Sequence, residues 1–247
     1  MSIITIPKPN LDAKLQLFCI PFAGGGTRTF LNWYKHLPDM ELCLIAYPGR
    51  EHRITENPIT DIDVLLDVLL SECKKTIRTD FAIFGHSMGS IVSYGIAKKL
   101  EESQIVPKLL FVSSASAPTR TLKEEKMLSL LPDSKFIRRL VERYDAIPDK
   151  ILHDSNLMKM FVPMLRNDIS IEEQYVRKYG SKDTTPISCD ITAFGGINDI
   201  SINKNHLMTW KNLTKGTFSI KMFPGSHFYL NEHPIKLFKE ISKMCLL

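Results

Sequence analysis

The stretch from Asp80 to Tyr94 constrains the fold of this chain more than any other. Phe81 to Phe84 is a short apolar run of the length a buried strand needs. Gly85-His86-Ser87-Met88-Gly89 follows, in the pattern G-x-S-x-G. Ile91, Tyr94, Ile96 and Ala97 then recur at helical spacing before Lys98-Lys99. Strand, sharp turn and helix therefore come in the order that lifts a serine hydroxyl clear of a sheet. The two glycines suit a turn with little room for a Cβ beside the serine. The helix start turns free N–H groups and a positive dipole end toward the same spot. His86 neighbours Ser87 in sequence but points elsewhere on a sharp turn, so it reads as elbow packing or a pocket edge, not as a base.

Other apolar runs alternate with helical patterns on both sides of this turn. Strands are expected from Leu15 to Ile20, Leu42 to Tyr47, Lys108 to Ser113, Ser188 to Phe194 and Thr217 to Met222. Helices are expected from Phe30 to Leu37, Ile59 to Ile77, Asn203 to Leu213 and Ile235 to Cys245, the last opened by Pro234. Residues 1–14 read as an exposed lead-in. Strand–helix alternation of this kind predicts an α/β fold, a mostly parallel sheet with helices on both faces. Between about 121 and 182 the alternation breaks into a helical, Met- and Leu-rich stretch. It reads as a lid inserted into a single domain spanning 1–247.

Composition removes several function classes. The chain has 247 residues, 44% hydrophobic and 24% charged, as in an ordinary globular protein. No apolar run approaches the roughly 20 residues a membrane span needs. The start, Met1 to Pro7, lacks the marks of a signal peptide, so the cytoplasm is the expected compartment. Five cysteines without a C-x-x-C pair suggest neither a zinc site nor a disulfide framework. Cys19, Cys43 and Cys189 read as core. The formal charge of +5 gives weak support for an acidic partner and no case for nucleic acid.

A serine hydroxyl needs a base to take its proton, and the base needs an orienting acid. In a fold with this turn the order is Ser, then Asp or Glu, then His, each in a loop after a strand. Asp199 and His227 are the pair so placed. Asp190 begins its strand, at the wrong end of the sheet. His206 falls in a helix, His153 in the lid and His233 beyond the first His loop. The oxyanion donors expected are the N–H of Met88 and an N–H at Phe22 or Ala23. Phe22 and Ala23 lead into Gly24-Gly25-Gly26, which also suits a flexible connection.

Several stretches together resemble the type II thioesterases of nonribosomal peptide and polyketide biosynthesis. They are Phe18 to Gly25 with Trp33, Tyr47-Pro48-Gly49-Arg50, Phe84 to Gly89, and Phe223-Pro224-Gly225-Ser226-His227-Phe228. Ile147-Pro148, Pro163 to Asp168, Glu173 and Tyr175 add to the likeness, with Asn167 where alanine is common. The resemblance covers roughly residues 15–235. It implies an α/β-hydrolase fold with Ser87, Asp199 and His227 as the triad. It further implies hydrolysis of acyl groups from the phosphopantetheine arm of acyl or peptidyl carrier proteins. A monomer with no metal and no cofactor of its own is expected. A medium-chain fatty acyl thioesterase fits the same likeness. A catalytically idle carrier-binding module fits less well, because Ser, Asp and His are all present. A small-ester esterase fits less well with the Pro-Gly-Arg and lid motifs. Arg50, Arg53, Lys123 and Lys126 are candidates, as a group, for a rim that attracts an acidic carrier.

Overall fold

The computed structural model describes residues 2–119, 121–144, 152–182 and 185–246. Its strands are β1 (Ile4–Thr5), β2 (Leu15–Ile20), β3 (Met40–Ile45), β4 (Phe81–His86), β5 (Leu109–Ser113), β6 (Asp190–Gly196) and β7 (Phe218–Phe223). The helices are α1 (Ile62–Thr76), α2 (Met88–Glu102), α3 (Asp133–Tyr144), α4 (Ser155–Tyr179), α5 (Lys204–Met208), α6 (Tyr229–Glu232) and α7 (Pro234–Leu246). One sheet takes the order β1-β3-β2-β4-β5-β6-β7. β1 is antiparallel to β3, and every other neighbouring pair is parallel.

Strands β2 to β5 are buried along their whole length, which is why they read as nearly continuous apolar runs. One face of the sheet packs against α1, α2 and Trp210. The other packs against Phe30, Trp33 and Leu37 and against Leu237, Phe238 and Ile241 of α7. All five cysteines are buried and free.

Three expectations need correcting. The lead-in is partly structured: Ile3 and Ile4 are buried, and β1 closes the sheet edge beside β3. Phe30, Trp33 and Leu37 mimic a helical stripe, but the segment forms two 3-10 turns, Thr27–Thr29 and Trp33–Lys35. Its apolar side chains are buried all the same. The strand expected from Leu42 lies two residues earlier, at Met40–Ile45.

The insertion between β5 and β6 carries a small core of its own, with Phe136 and Leu140 of α3 against Val162, Leu165 and Ile169 of α4. Pro163 sits inside α4 and removes one helical N–H donor. Beyond it, α4 is fastened to the main body. Asn167 Nδ2 donates to Ile59 O at 2.9 Å, and Gln174 Oε1 accepts the Ile62 N–H at 3.1 Å. Lys178 and Tyr179 both bond Asp63. From this anchored half, Arg166 and Glu173 hold the turn that precedes α3. Arg166 Nη1 donates to Ser129 O and Leu131 O, and Glu173 accepts the N–H groups of Leu128 and Ser129. The Ile147-Pro148 motif lies outside the described residues.

Candidate active site

Parallel strands bring their C-terminal ends to one edge, and the loops that leave β2, β4, β5, β6 and β7 meet there. At the end of β4, Ser87 has φ 53° and ψ −121°, a positive φ that a residue with a Cβ rarely adopts. Its N–H donates to Ser113 O at 2.7 Å. A Cβ on Gly85 would lie 2.2 Å from Gly89 O, and one on Gly89 would lie 2.2 Å from Ile20 O. The strand, the helix start and the end of β2 therefore approach closely only because both positions are glycine. Ser87 is partly exposed between buried neighbours.

Asp199 lies in the loop after β6 and His227 in the loop after β7. His227 Nδ1 is 2.8 Å from Asp199 Oδ2. An ionised carboxylate only accepts, so Nδ1 carries the proton and Nε2 is left as the acceptor. Asp199 Oδ1 takes the Ser201 N–H, the Ser201 hydroxyl and the Ile202 N–H at 2.8, 2.7 and 3.0 Å. Burial alone would push the Asp199 carboxyl up. The hydrogen bond and electrostatic field of His227, with the Ser201 donors, outweigh it and hold the carboxyl at about 2. The His loop fits against the Asp loop because Gly196 has no Cβ, which would otherwise lie 2.1 Å from Ser226 O.

His86 and Phe22 join these loops. The His86 ring lies 5.2 Å from that of His227, so His227 sits beside the elbow. Phe22 packs edge-on against both His86 and Phe228, with centroids 5.6 and 5.0 Å away. The first residues of the glycine loop thus stand over the Ser87 turn. Among the described residues no hydrogen bond uses the N–H of Phe22 or Ala23. Met88 opens α2, so its N–H has no partner within the helix.

His86 is fully buried, as an elbow-packing residue should be. Its Nδ1 lies 2.8 Å from Ser113 Oγ, which is 2.6 Å from the Tyr229 hydroxyl. Burial, and then the proximity of His227, push the His86 pKa well below the ordinary imidazole value. It is neutral at pH 7. The competing residues are elsewhere. Asp190 stands at the start of β6 and accepts the Thr217 N–H, and His206 helps cap α5 with Asn203. Sequence reasoning missed Ser201 and Tyr229. An Asp followed two residues later by a serine is a recognisable turn signal, whereas Tyr229 reaches Ser113 only through tertiary packing.

Arg50 and Arg53 were expected among the cations of an exposed rim, and the structure overturns that. Both are only 6% exposed. Arg50 is paired with Asp168 of α4, and Arg53 donates to Ala46 O and pairs with Glu56. Lys123 and Lys126 are exposed. An open groove of about 780 Å³ lies between the start of the insertion, α3 and the Asp199 loop, where Lys126, Lys135, Arg138 and Arg139 alternate with Glu125 and Glu142 beside the exposed Ile200. Arg138 and Arg139 both pair with Glu142. A second, apolar groove of about 320 Å³ runs between the glycine loop and Leu157, Met160, Phe161 and Met164 of α4.

Residues 15–245 match the family model described as a thioesterase domain. The chain belongs to the thioesterase family. This thioesterase is 37% identical over 240 residues to the gramicidin S biosynthesis protein GrsT of Aneurinibacillus migulanus, covering 96% of the chain and 91% of that protein. It is 33% identical over 235 residues to the medium-chain S-acyl fatty acid synthase thioesterase of Rattus norvegicus, covering 92% and 87%. Among solved structures it resembles BorB, the type II thioesterase from the borrelidin biosynthetic cluster. The TM-score is 0.85 at 29% identity, over 99% of this chain and 98% of that one. The α/β-hydrolase fold expected from the sequence is the fold of this thioesterase, and thioester hydrolysis is the chemistry of its family.

Proposed function

We propose that this thioesterase hydrolyses acyl groups from the phosphopantetheine arm of carrier proteins. In that role it would clear stalled or misprimed thioesters from a nonribosomal peptide or polyketide synthase. The observation that carries the proposal is the Asp199–His227 pair, set beside the Ser87 turn in a chain that matches a thioesterase domain over residues 15–245. Likeness to GrsT and BorB supports the choice of carrier-bound substrate.

In the proposed mechanism Ser87 Oγ attacks the thioester carbonyl while His227 Nε2 takes its proton. Asp199 holds the imidazole in the tautomer with Nδ1 protonated and stabilises the imidazolium. Backbone N–H groups of Met88 and of Phe22 or Ala23 receive the oxyanion. The tetrahedral species collapses, the C–S bond breaks, and His227 returns the proton to the departing pantetheine thiolate. Water then attacks the Ser87 ester with His227 again as base. The C–O bond to Ser87 breaks, its oxygen regains the proton, and a carboxylic acid leaves. The redox state of every group is unchanged.

The insertion acts as a lid in this proposal, with α3 and the start of α4 as the moving part and α4 from Arg166 onward as its hinge post. The proposal takes the enzyme to be a cytoplasmic monomer, and sedimentation at the mass of one chain checks the monomer. A second reading, release of medium-chain fatty acids, is favoured by the likeness to the rat enzyme and by the apolar groove beside α4. A panel of acyl groups of graded length, each on a synthase carrier and on a fatty acid synthase carrier, separates the two. Editing predicts broad tolerance of short acyl groups on the synthase carrier. Fatty acid release predicts a sharp preference for medium chains.

A further inference from the structure

The Arg50–Asp168 pair joins residues 118 positions apart at a place where the glycine loop needs both a donor and an acceptor. Arg50 Nη2 lies 2.6 Å from Asp168 Oδ1, and Arg50 Nη1 lies 2.7 Å from Oδ2. Each partner then spends a remaining bonding position on the loop after β2. Asp168 Oδ2 accepts the Gly24 N–H at 2.8 Å, and Arg50 Nη1 donates to Gly25 O at 2.8 Å. The loop is a tight turn in which the Gly25 N–H donates to Phe22 O at 2.8 Å, with Gly24 at φ +80°. A positive φ at the third position is what a type II turn requires. The peptide between Ala23 and Gly24, inside the turn, and the one between Gly25 and Gly26, just after it, are thereby fixed from outside.

Net stability is a poor explanation for such a pair. Asp168 is 3% exposed and Arg50 6%, so both ions have lost their water. Desolvation offsets much of the attraction in a buried pair, and well-packed apolar residues often serve stability as well. Arg50 Nε is buried with no hydrogen-bond partner, a further cost. What the pair supplies that apolar side chains cannot is one acceptor and one donor at fixed positions on the glycine loop. The bidentate fork makes that geometry specific to arginine.

We infer that Arg50 and Asp168 are positioning residues that set the glycine-loop backbone for oxyanion binding and tie its geometry to helix α4. The inference rests on the serine mechanism proposed above. It extends that mechanism to two residues outside the triad. Because Asp168 lies on the half of α4 fastened to the main body, the pair ties the loop to the fixed end of the insertion.

The test compares Asp168→Asn and Arg50→Lys with wild type, on an acyl-pantetheine thioester and on an alkylboronic acid. A boronate adds to the serine oxygen as a tetrahedral mimic. Boronate inhibition of wild type, lost in Ser87→Ala, checks the serine mechanism first and independently of the pair. Loss of an oxyanion donor costs about 10²–10³-fold in kcat. Misplacing one should therefore lower kcat by about 10- to 100-fold, with KM changed by less than about threefold. Boronate affinity should weaken by the same factor as kcat. Each value is referred to folded active sites, counted from thermal unfolding. Either variant keeping kcat within about threefold of wild type overturns the inference. So does a loss of kcat with boronate affinity per folded site unchanged, which would mark a merely structural pair.

Discussion

His227 Nδ1 bonds Oδ2 of Asp199, while the three donors of the Ser201–Ile202 turn all converge on Oδ1. The two oxygens are thus divided between anchoring the Asp199 carboxylate and holding the His227 ring. Asp199→Asn keeps the shape but offers an amide in place of one oxygen. By the loss seen for a triad Asp→Asn change in a serine protease, kcat should fall about 10⁴-fold. Steady-state kinetics on an acyl-pantetheine thioester measures this, with folding checked by circular dichroism.

The same pair predicts an acid-stability signature. The Asp199 carboxyl titrates at about 2, below its ordinary value of 3.8. A depressed folded value contributes stability that is present above the unfolded value and lost as pH falls through the folded one. The stability difference between wild type and Asp199→Asn should therefore be constant above about pH 5. It should shrink as pH falls from about 4 to 2. Urea denaturation across that range reads it, and a difference that grows on acidification would contradict the assignment.

Gly196 is where the Asp and His loops touch. Gly196→Ala forces a Cβ against Ser226 O, a backbone atom that cannot swing aside. Overpacking of this kind costs about 1–3 kcal/mol. Turnover should fall further than stability, because the displaced loop carries His227. Denaturant titration and kinetics on the same variant check both parts.

Much of this site is legible in sequence because its signals are local. The Ser87 turn is written into a strand, two glycines and a helix within a few residues. Asp199 and His227 follow from strand ends in the required order. The Arg50–Asp168 contact is not legible that way. Each residue looks like a surface charge until α4 packs beside the glycine loop, and only folding brings them together. β1 escaped notice because two residues carry no periodicity, and its pairing with β3 is decided by the sheet. Phe30, Trp33 and Leu37 show the opposite failure, since a helical spacing of apolar groups was met by two short turns that bury the same side chains.

The anchoring of α4 predicts an uneven lid. Amide exchange should be faster over residues 133–142 than over residues 167–176, which are tied to Ile59 and Ile62. Both should exchange faster than β4 and β5. Equal protection of 133–142 and β4 would mean that the insertion stays closed, against the expectation for a lid that must admit an acyl-pantetheine arm.

With Arg50 and Arg53 buried, the proposed attraction of an acidic carrier is left to the exposed Lys123 and Lys126 and to the groove beside Ile200, where Arg138 and Arg139 also pair with Glu142. Changing Lys135, Arg138 and Arg139 together to Ala should lower kcat/KM for a carrier-bound acyl group by about tenfold. It should leave the same acyl group on a free pantetheine mimic nearly unaffected. Raising salt should likewise slow only the carrier-bound reaction. Equal response of both substrates would rule out docking through this groove and favour a small-ester esterase.

Transfer of the acyl group from a carrier to Ser87 can be followed by mixing the enzyme with an acyl-loaded carrier, quenching in acid and weighing both proteins by intact mass spectrometry. The carrier should return to its free thiol, and a fraction of the enzyme should gain the acyl mass, which fragmentation places on Ser87. Ser87→Ala should show neither change. Carrier deacylation by Ser87→Ala at the wild-type rate, or an acyl group found on a different residue, would contradict that transfer.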